Sequence, residues 1–363
     1  MPRLWFLFLA AAIFAAFTPT RVPAEELRLG ILSELTGADA FEGKHCLEGI
    51  ELARRWLIPG GVLGERRVTL VFSDHQGKTK LGAVEFRRMV HEGRVRAVIA
   101  TGDAVAMSLK PLAKQLQVPL LGVVEHEKFL HNNSFVARFY PSLDVQAEAL
   151  AHQAAALGGK ELAALYGVDE QSLSFKEVFE RAFRGGGGKV SASYTVPSDD
   201  LKLAALVNKL RQAQSDALLV FMSAQQYRRV LRELSQQRKS AALFGNRRAA
   251  DPTVLEAVGP EAVEGLVFFS LNLQKKSFNE RFAALYPGRF PTETSYACYS
   301  ALTAALRAIA SLPGGVQGVA LNAALKALPD VQLLDERLPF KDQALLFDCR
   351  SKRIRAGRVE DLN

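Results

Sequence analysis

The chain has 363 residues, 48% of them hydrophobic and 23% charged, and carries a formal net charge of +8. This length exceeds one small domain and suits two cores, and the composition is that of a soluble globular chain. The positive charge is spread along helical stretches such as Arg228-Arg229…Arg232…Arg238-Lys239 with no nucleic-acid-binding module beside it, so it reads as solvated helix faces and no nucleic-acid partner is expected.

The first 24 residues read as a secretory signal peptide. Arg3 supplies a positive start, Leu4–Phe17 is an unbroken apolar run, and Val22-Pro23-Ala24 offers a small-residue cleavage site. The apolar run is shorter than the ~20 residues a membrane span needs. Without Arg3 and Arg21 the mature chain carries +6. An exported, periplasmic protein is expected.

From Leu27 the chain alternates strands and helices. Leu27, Leu29, Ile31 and Leu32 form a short apolar strand, Thr36-Gly37 breaks it, and from Lys44 the residues Cys46, Leu47, Ile50, Leu52, Ala53 and Leu57 recur at helical spacing. Strands follow over Val68–Ser73, Val95–Ala100 and Leu120–Val124, and helices over Ala83–His91 and Ala104–Leu116. Phe135–Tyr140 is extended and ends at Pro141. This is one lobe of a doubly wound sheet, with the loop Glu34–Gly43 at the carboxyl end of its first strand, where such folds bind ligands.

The alternation restarts at Leu143. Helices are expected over Val145–Leu157, Phe175–Phe183, Leu203–Ala213 and Gln226–Gln236, with a helical turn over Leu255–Val258. Strands are expected over Leu162–Tyr166, Val190–Val196, Ala217–Met222, Leu243–Gly245 and Val267–Leu271. Three helices follow, Phe278–Tyr286, Ser295–Leu312 and Leu321–Leu328, and Gln343–Arg355 reads as a hairpin. Of the three cysteines, Cys46 and Cys298 fall in helices and Cys349 near the end; export permits one disulfide, and the spacing does not say which.

Three stretches resemble catalytic or nucleotide-binding motifs and depart from them in spacing. Gly37…Gly43-Lys44 has five residues between its glycines where a phosphate loop has four, and His45 stands where Ser or Thr would hold a magnesium ion. His126-Glu127…His131 places its second histidine one position too late for a zinc helix, with Leu130 at the required place. Gly185–Gly188 lacks the spacing of a dinucleotide loop and reads as a helix-to-strand turn. No nucleophile elbow, acid–base pair or metal set stands out. No cofactor or metal is expected, and a binding function is favoured over an enzyme.

The segments LGILSELTGADAFEGKHCLEGIELA, GGVLGERRVTLVFSDHQG and VRAVIATGDAVAMSLKPLAKQLQVPLLG resemble the amino-terminal lobe of the periplasmic type I solute-binding proteins, in the leucine/isoleucine/valine-binding branch of ABC importers. The likeness continues through Ser215-Asp216-Ala217-Leu218, Glu264-Gly265 and Tyr299…Ala304-Ala305-Leu306. It implies an α/β fold of two lobes, each a mainly parallel sheet flanked by helices, joined by three crossing segments. Lobe 1 would comprise 25–140 and 272–337, and lobe 2 141–271 and 338–363. A small solute would bind between the lobes by hinge closure, and a permease in the inner membrane would recognise the closed, monomeric receptor. A periplasmic sensor or accessory protein with a degenerate pocket is the alternative, and an enzyme on the same scaffold a more distant one.

The resemblance also places a pocket. Thr101, Gly102, Asp103 and Ala104 leave a buried strand and start a helix, where free N–H groups and the helix dipole suit a carboxylate. Val124 and His126 follow the next strand, Glu42 stands where the family closes the pocket, Gln171 and Ser223 stand where lobe 2 covers the ligand, and Tyr296 lines the cleft or packs in the core. The Gly245-Asn246-Arg247-Arg248 segment is basic where amino-acid binders carry an acid, and an ammonium cannot pair with Arg. Arg247 and His126 together would favour an anionic ligand, such as a carboxylate without an amine, with Glu42 as the opposing charge.

Overall fold

The computed structural model describes residues 26–61, 63, 66–196, 203–213, 215–235 and 241–362. The expected signal peptide, 1–24, lies outside the described residues. The chain opens with strand β1 (Glu26–Ser33), helix α1 (Ala40–Leu57), β2 (Arg67–Asp74), α2 (Thr79–His91), β3 (Ala97–Thr101), α3 (Asp103–Leu116), β4 (Leu120–Val123) and β5 (Val136–Arg138). A second unit follows: α4 (Leu143–Ala156), β6 (Glu161–Tyr166), α5 (Glu170–Gly185), β7 (Lys189–Thr195), α6 (Leu203–Gln212), β8 (Ala217–Phe221), α7 (Ala224–Ser235), β9 (Ala242–Gly245), α8 (Pro252–Val258) and β10 (Val267–Leu271). The chain then adds α9 (Lys276–Leu285), α10 (Glu293–Ala310), α11 (Gly318–Ala327), β11 (Asp330–Gln332), β12 (Arg337–Lys341), β13 (Ala344–Leu345), β14 (Cys349–Arg355) and β15 (Arg358–Asp361).

These strands form two sheets, in the orders β11-β12-β13-β5-β4-β3-β1-β2 and β15-β14-β10-β9-β8-β6-β7. The pairs among β1–β5 and among β6–β10 are parallel, and the late strands add antiparallel edges. Helices cover both faces of each sheet because side chains alternate along a strand. In β3, Ala97 and Ile99 join the core shared with α1 and α10, while Val98 and Ala100 join the core shared with α2 and α3. The second sheet divides in the same way, with Leu162 and Ala164 toward α4 and α5 and with Ala163 and Leu165 toward α6, α7 and α8.

Helix α10 is the centre of lobe 1. Fifteen of its 18 residues are buried, so it is enclosed on all sides rather than amphipathic. Its small residues let α1 approach closely. A Cβ at Gly49 would lie 1.8 Å from the Ser295 carbonyl oxygen, so only glycine fits there. One turn away Cys46 and Cys298 form a disulfide, with Cα atoms 5.3 Å apart, and Cys349 remains free.

Two expectations are corrected at the carboxyl end. The hairpin is β14 with β15, turning at Ala356-Gly357, both at positive φ, whereas Ala344–Leu345 pairs with β5 of the first sheet. Lobe 1 therefore retains β12 and β13 beyond residue 337, and the last crossing to lobe 2 lies between Leu345 and Cys349. The short apolar run Ala344–Phe347 mimics one arm of a hairpin. Its register is set by sheet edges far away in sequence, which the local pattern does not encode.

A charged cleft between the lobes as the candidate functional site

The carboxyl ends of both parallel sheets face each other, and the segments leaving β3, β4 and β9 meet there. Gly102 has a φ of 82°, and this left-handed geometry turns β3 into α3. Thr101 is buried, its hydroxyl hydrogen-bonded to Ser33 at 2.6 Å. Asp103 opens α3, and its Oδ1 accepts the backbone N–H groups of Glu125 and His126, each at 2.9 Å. This contact clamps the β4 exit loop onto the start of α3. Burial pushes the Asp103 carboxyl up, against the opposing pull of those two N–H groups. The helix start expected to hold a ligand carboxylate thus already carries a carboxylate of its own. Ala104 beside it is exposed.

Glu42, in the first turn of α1, reaches across the cleft. Its Oε1 accepts from Arg247 Nη1 at 2.7 Å and from Arg248 Nη1 at 2.9 Å, and its Oε2 accepts from the Thr294 hydroxyl. Burial alone would raise the Glu42 carboxyl, but the two guanidinium groups beside it bring it down to about 2. Arg247 Nε lies 3.6 Å from Glu125 Oε1 and 4.0 Å from Glu293 Oε2, and the guanidinium stands 5.7 Å over the Tyr140 ring. Burial opposes the Arg247 charge, yet Glu42, Tyr140, Glu125 and Glu293 around it hold it firmly protonated. Glu293 in turn accepts from the Tyr140 and Ser270 hydroxyls and faces Lys352 at 3.8 Å.

Gln171, at the start of α5, donates to Glu125 Oε2 at 2.8 Å, bridging the lobes a second time. His126 Nε2 lies 3.6 Å from Glu170, and Lys128 lies 3.9 Å from the same carboxylate. Glu125 is pushed up to about 7, first by burial and then by Asp103 and Glu293, against the pull of Arg247 and Arg248.

Of the expected residues, Glu42, Asp103, His126, Gln171 and Arg247 converge on the cleft. Val124 points instead into the core between the first sheet and α3. The Ser223 hydroxyl and N–H are turned onto Gln226, each at 3.2 Å. Tyr296 is in the core of lobe 1, edge-on to Phe278, with its hydroxyl donating to Glu336. The anionic pocket expected around Arg247 and His126, with Glu42 opposing, has Arg247 ringed by three carboxylates. Sequence reasoning placed Glu125 in the contact segment Val124–His126 and Arg248 in the basic segment after β9, and missed Glu293, which directly follows the capping residue Thr292. No group of three or more His, Cys, Asp or Glu among the described residues has the arrangement of a metal site, and no helix among them is long and apolar enough to cross a membrane.

A sequence model of the periplasmic binding proteins matches residues 26–344. The chain belongs to that family. Solved structures with this periplasmic binding protein fold include a leucine-binding protein of Thermotoga maritima, at 21% identity and a TM-score of 0.82, covering 93% of this chain and 98% of that one. A branched-chain amino-acid binding protein of Streptococcus pneumoniae in complex with isoleucine is 16% identical, with a TM-score of 0.82 and the same coverage. A solute-binding protein of Rhodopseudomonas palustris in complex with 3,4-dihydroxybenzoic acid is 18% identical, with a TM-score of 0.78 over 90% of this chain and 93% of that one. No curated protein sequence matches the chain. In this periplasmic binding protein the cleft lies where the fold class places ligands, outside the carboxyl ends of the strands.

Proposed function

We propose that the chain is the exported solute-binding component of an ABC importer, a periplasmic monomer that takes an amino acid or a related carboxylate or amide between its lobes and presents the closed form to an inner-membrane permease. The observation that carries this reading is the convergence of polar groups from both lobes on one cleft. Arg247 Nε–H is buried there without a hydrogen-bond acceptor, a donor that a solute oxygen would satisfy. Asp103 and Glu125 offer carboxylates to solute N–H groups. Arg247 is already paired with Glu42, so the balance favours a solute that brings N–H donors as well as an oxygen over an amine-free anion. The structural relatives named in complex with isoleucine and with dihydroxybenzoic acid support a small solute of this size.

The test is thermal shift against amino acids, aromatic acids, dicarboxylates and short amides. A true receptor gains RT ln(1 + [L]/Kd), ~2.7 kcal/mol at a hundredfold excess over Kd. No shift with any of these classes overturns the receptor reading, and turnover of a bound compound would identify an enzyme instead.

A further inference from the structure

We infer that Arg247 acts as an internal ligand that holds the two lobes closed without a solute. The residue stands on lobe 2, directly after β9, yet the groups around its guanidinium belong to lobe 1 and the hinge. They are Glu42 at 2.7 Å, Glu125 at 3.6 Å, Glu293 at 4.0 Å and the Tyr140 ring at 5.7 Å. Three carboxylates and an aromatic face make a cage for a planar cation, and guanidinium is the side-chain cation suited to both kinds of wall. The cage also reaches the hinge. Glu293 accepts from Tyr140 in the first crossing and from Ser270 at the end of β10, just before the second, and faces Lys352 on β14, just after the third. Closure and hinge geometry are therefore read by one side chain.

Arg248 serves as an internal comparison. Its Nη1 bonds Glu42 at 2.9 Å, but it makes none of the contacts to Glu125, Glu293 or the Tyr140 ring. Removing Arg247 leaves Glu42 still paired through Arg248, so the variant does not strand a buried carboxylate. The remaining charged groups facing the cluster are Asp103, His126, Glu170 and Lys352. The consequence for binding is that a solute pairing with Glu125 competes with this internal ligand, so its apparent affinity is reduced by the fraction of chains held in the self-closed form.

The inference concerns the chain alone, so it is tested without cargo and survives or fails independently of which solute binds. Small-angle scattering of the full mature chain should give a larger radius of gyration for Arg247→Ala than for the native protein, and a native-like radius for Arg248→Ala. Ethylguanidinium at millimolar concentration should return Arg247→Ala to the native radius and leave the native protein unchanged. Circular dichroism checks the fold. Should Arg247→Ala fail to fold, Arg247→Lys, which keeps a cation, is expected to fold and to be intermediate in radius. A native radius for both Arg247→Ala and Arg247→Lys, equal opening by Arg247→Ala and Arg248→Ala, or no response to ethylguanidinium overturns the inference.

Discussion

Helices α1 and α10 lie side by side in lobe 1, and one turn along them separates two kinds of contact. At Cys46 and Gly49 the helices are joined by a disulfide and by close backbone contact. At their amino-terminal ends Glu42, held by the Thr294 hydroxyl, meets Arg247 and Arg248 of the other lobe, and Glu293 faces Arg247. The first contact makes lobe 1 one rigid body. The second joins two bodies through charges that water can replace, which is what a cleft needs if it is to open.

The largest effect should come from breaking the rigid seam. The Cys46–Cys298 disulfide spans 252 residues, so replacing both cysteines by alanine should cost about 5 kcal/mol in denaturant unfolding, from release of the unfolded chain. A loss below about 1 kcal/mol would mean that packing of α10 alone defines the seam. Gly49→Ala tests the same seam without chemistry. The added methyl meets the Ser295 backbone, which cannot move as a side-chain tip would, and a loss of about 3 kcal/mol in the same assay is expected.

The cleft should respond to pH instead, and its two carboxylates respond in opposite senses. Glu42 is lowered from 4.5 to about 2, so its contribution is complete above about pH 4.5 and is lost as pH falls through 2. Glu125 is raised from 4.5 to about 7, so its contribution is present below about pH 4.5 and is lost as pH rises through 7. Asp103, Glu293, Arg247 and Arg248 face it, along with the Gln171 amide. A plot of Tm against pH should therefore rise between 2 and 4.5 and fall between 4.5 and 7, and Glu125→Gln should flatten only the upper limb. An unaltered upper limb would show that some other group titrates there. The smallest effect belongs to the solvent face of α1. Arg55→Ala removes an exposed pair with Glu51 and should change stability by less than about 0.5 kcal/mol.

The alternation of elements was legible because burial leaves a local trace. Strand β10 runs Val267–Leu271 as its apolar run predicts, and α9 to α11 begin and end within three residues of their expected limits. Helix α1 starts four residues earlier than Lys44 because Ala40–Gly43 carries no apolar period to mark it. The site was legible in part. Glu42 and Arg247 stood out as unusual charges for their places, but nothing in either residue says that they meet, 205 positions apart. Tyr296, Ser223 and Val124 have side chains compatible with a cleft or with a core, and packing alone assigned Val124 and Tyr296 to the core and Ser223 to its own helix start.

By itself the sequence determined which segments become strands and helices and that they form two α/β units, because hydrophobic periodicity acts within a dozen residues. Only the tertiary structure decided that Cys46 pairs with Cys298, that β12 and β13 stay with lobe 1, and that Arg247 is enclosed by Glu42, Glu125 and Glu293. The physical reason is range. Burial is a property each residue carries along the chain, whereas the partner of a charge or a thiol is set by which surfaces the folded lobes bring within a few ångströms of each other.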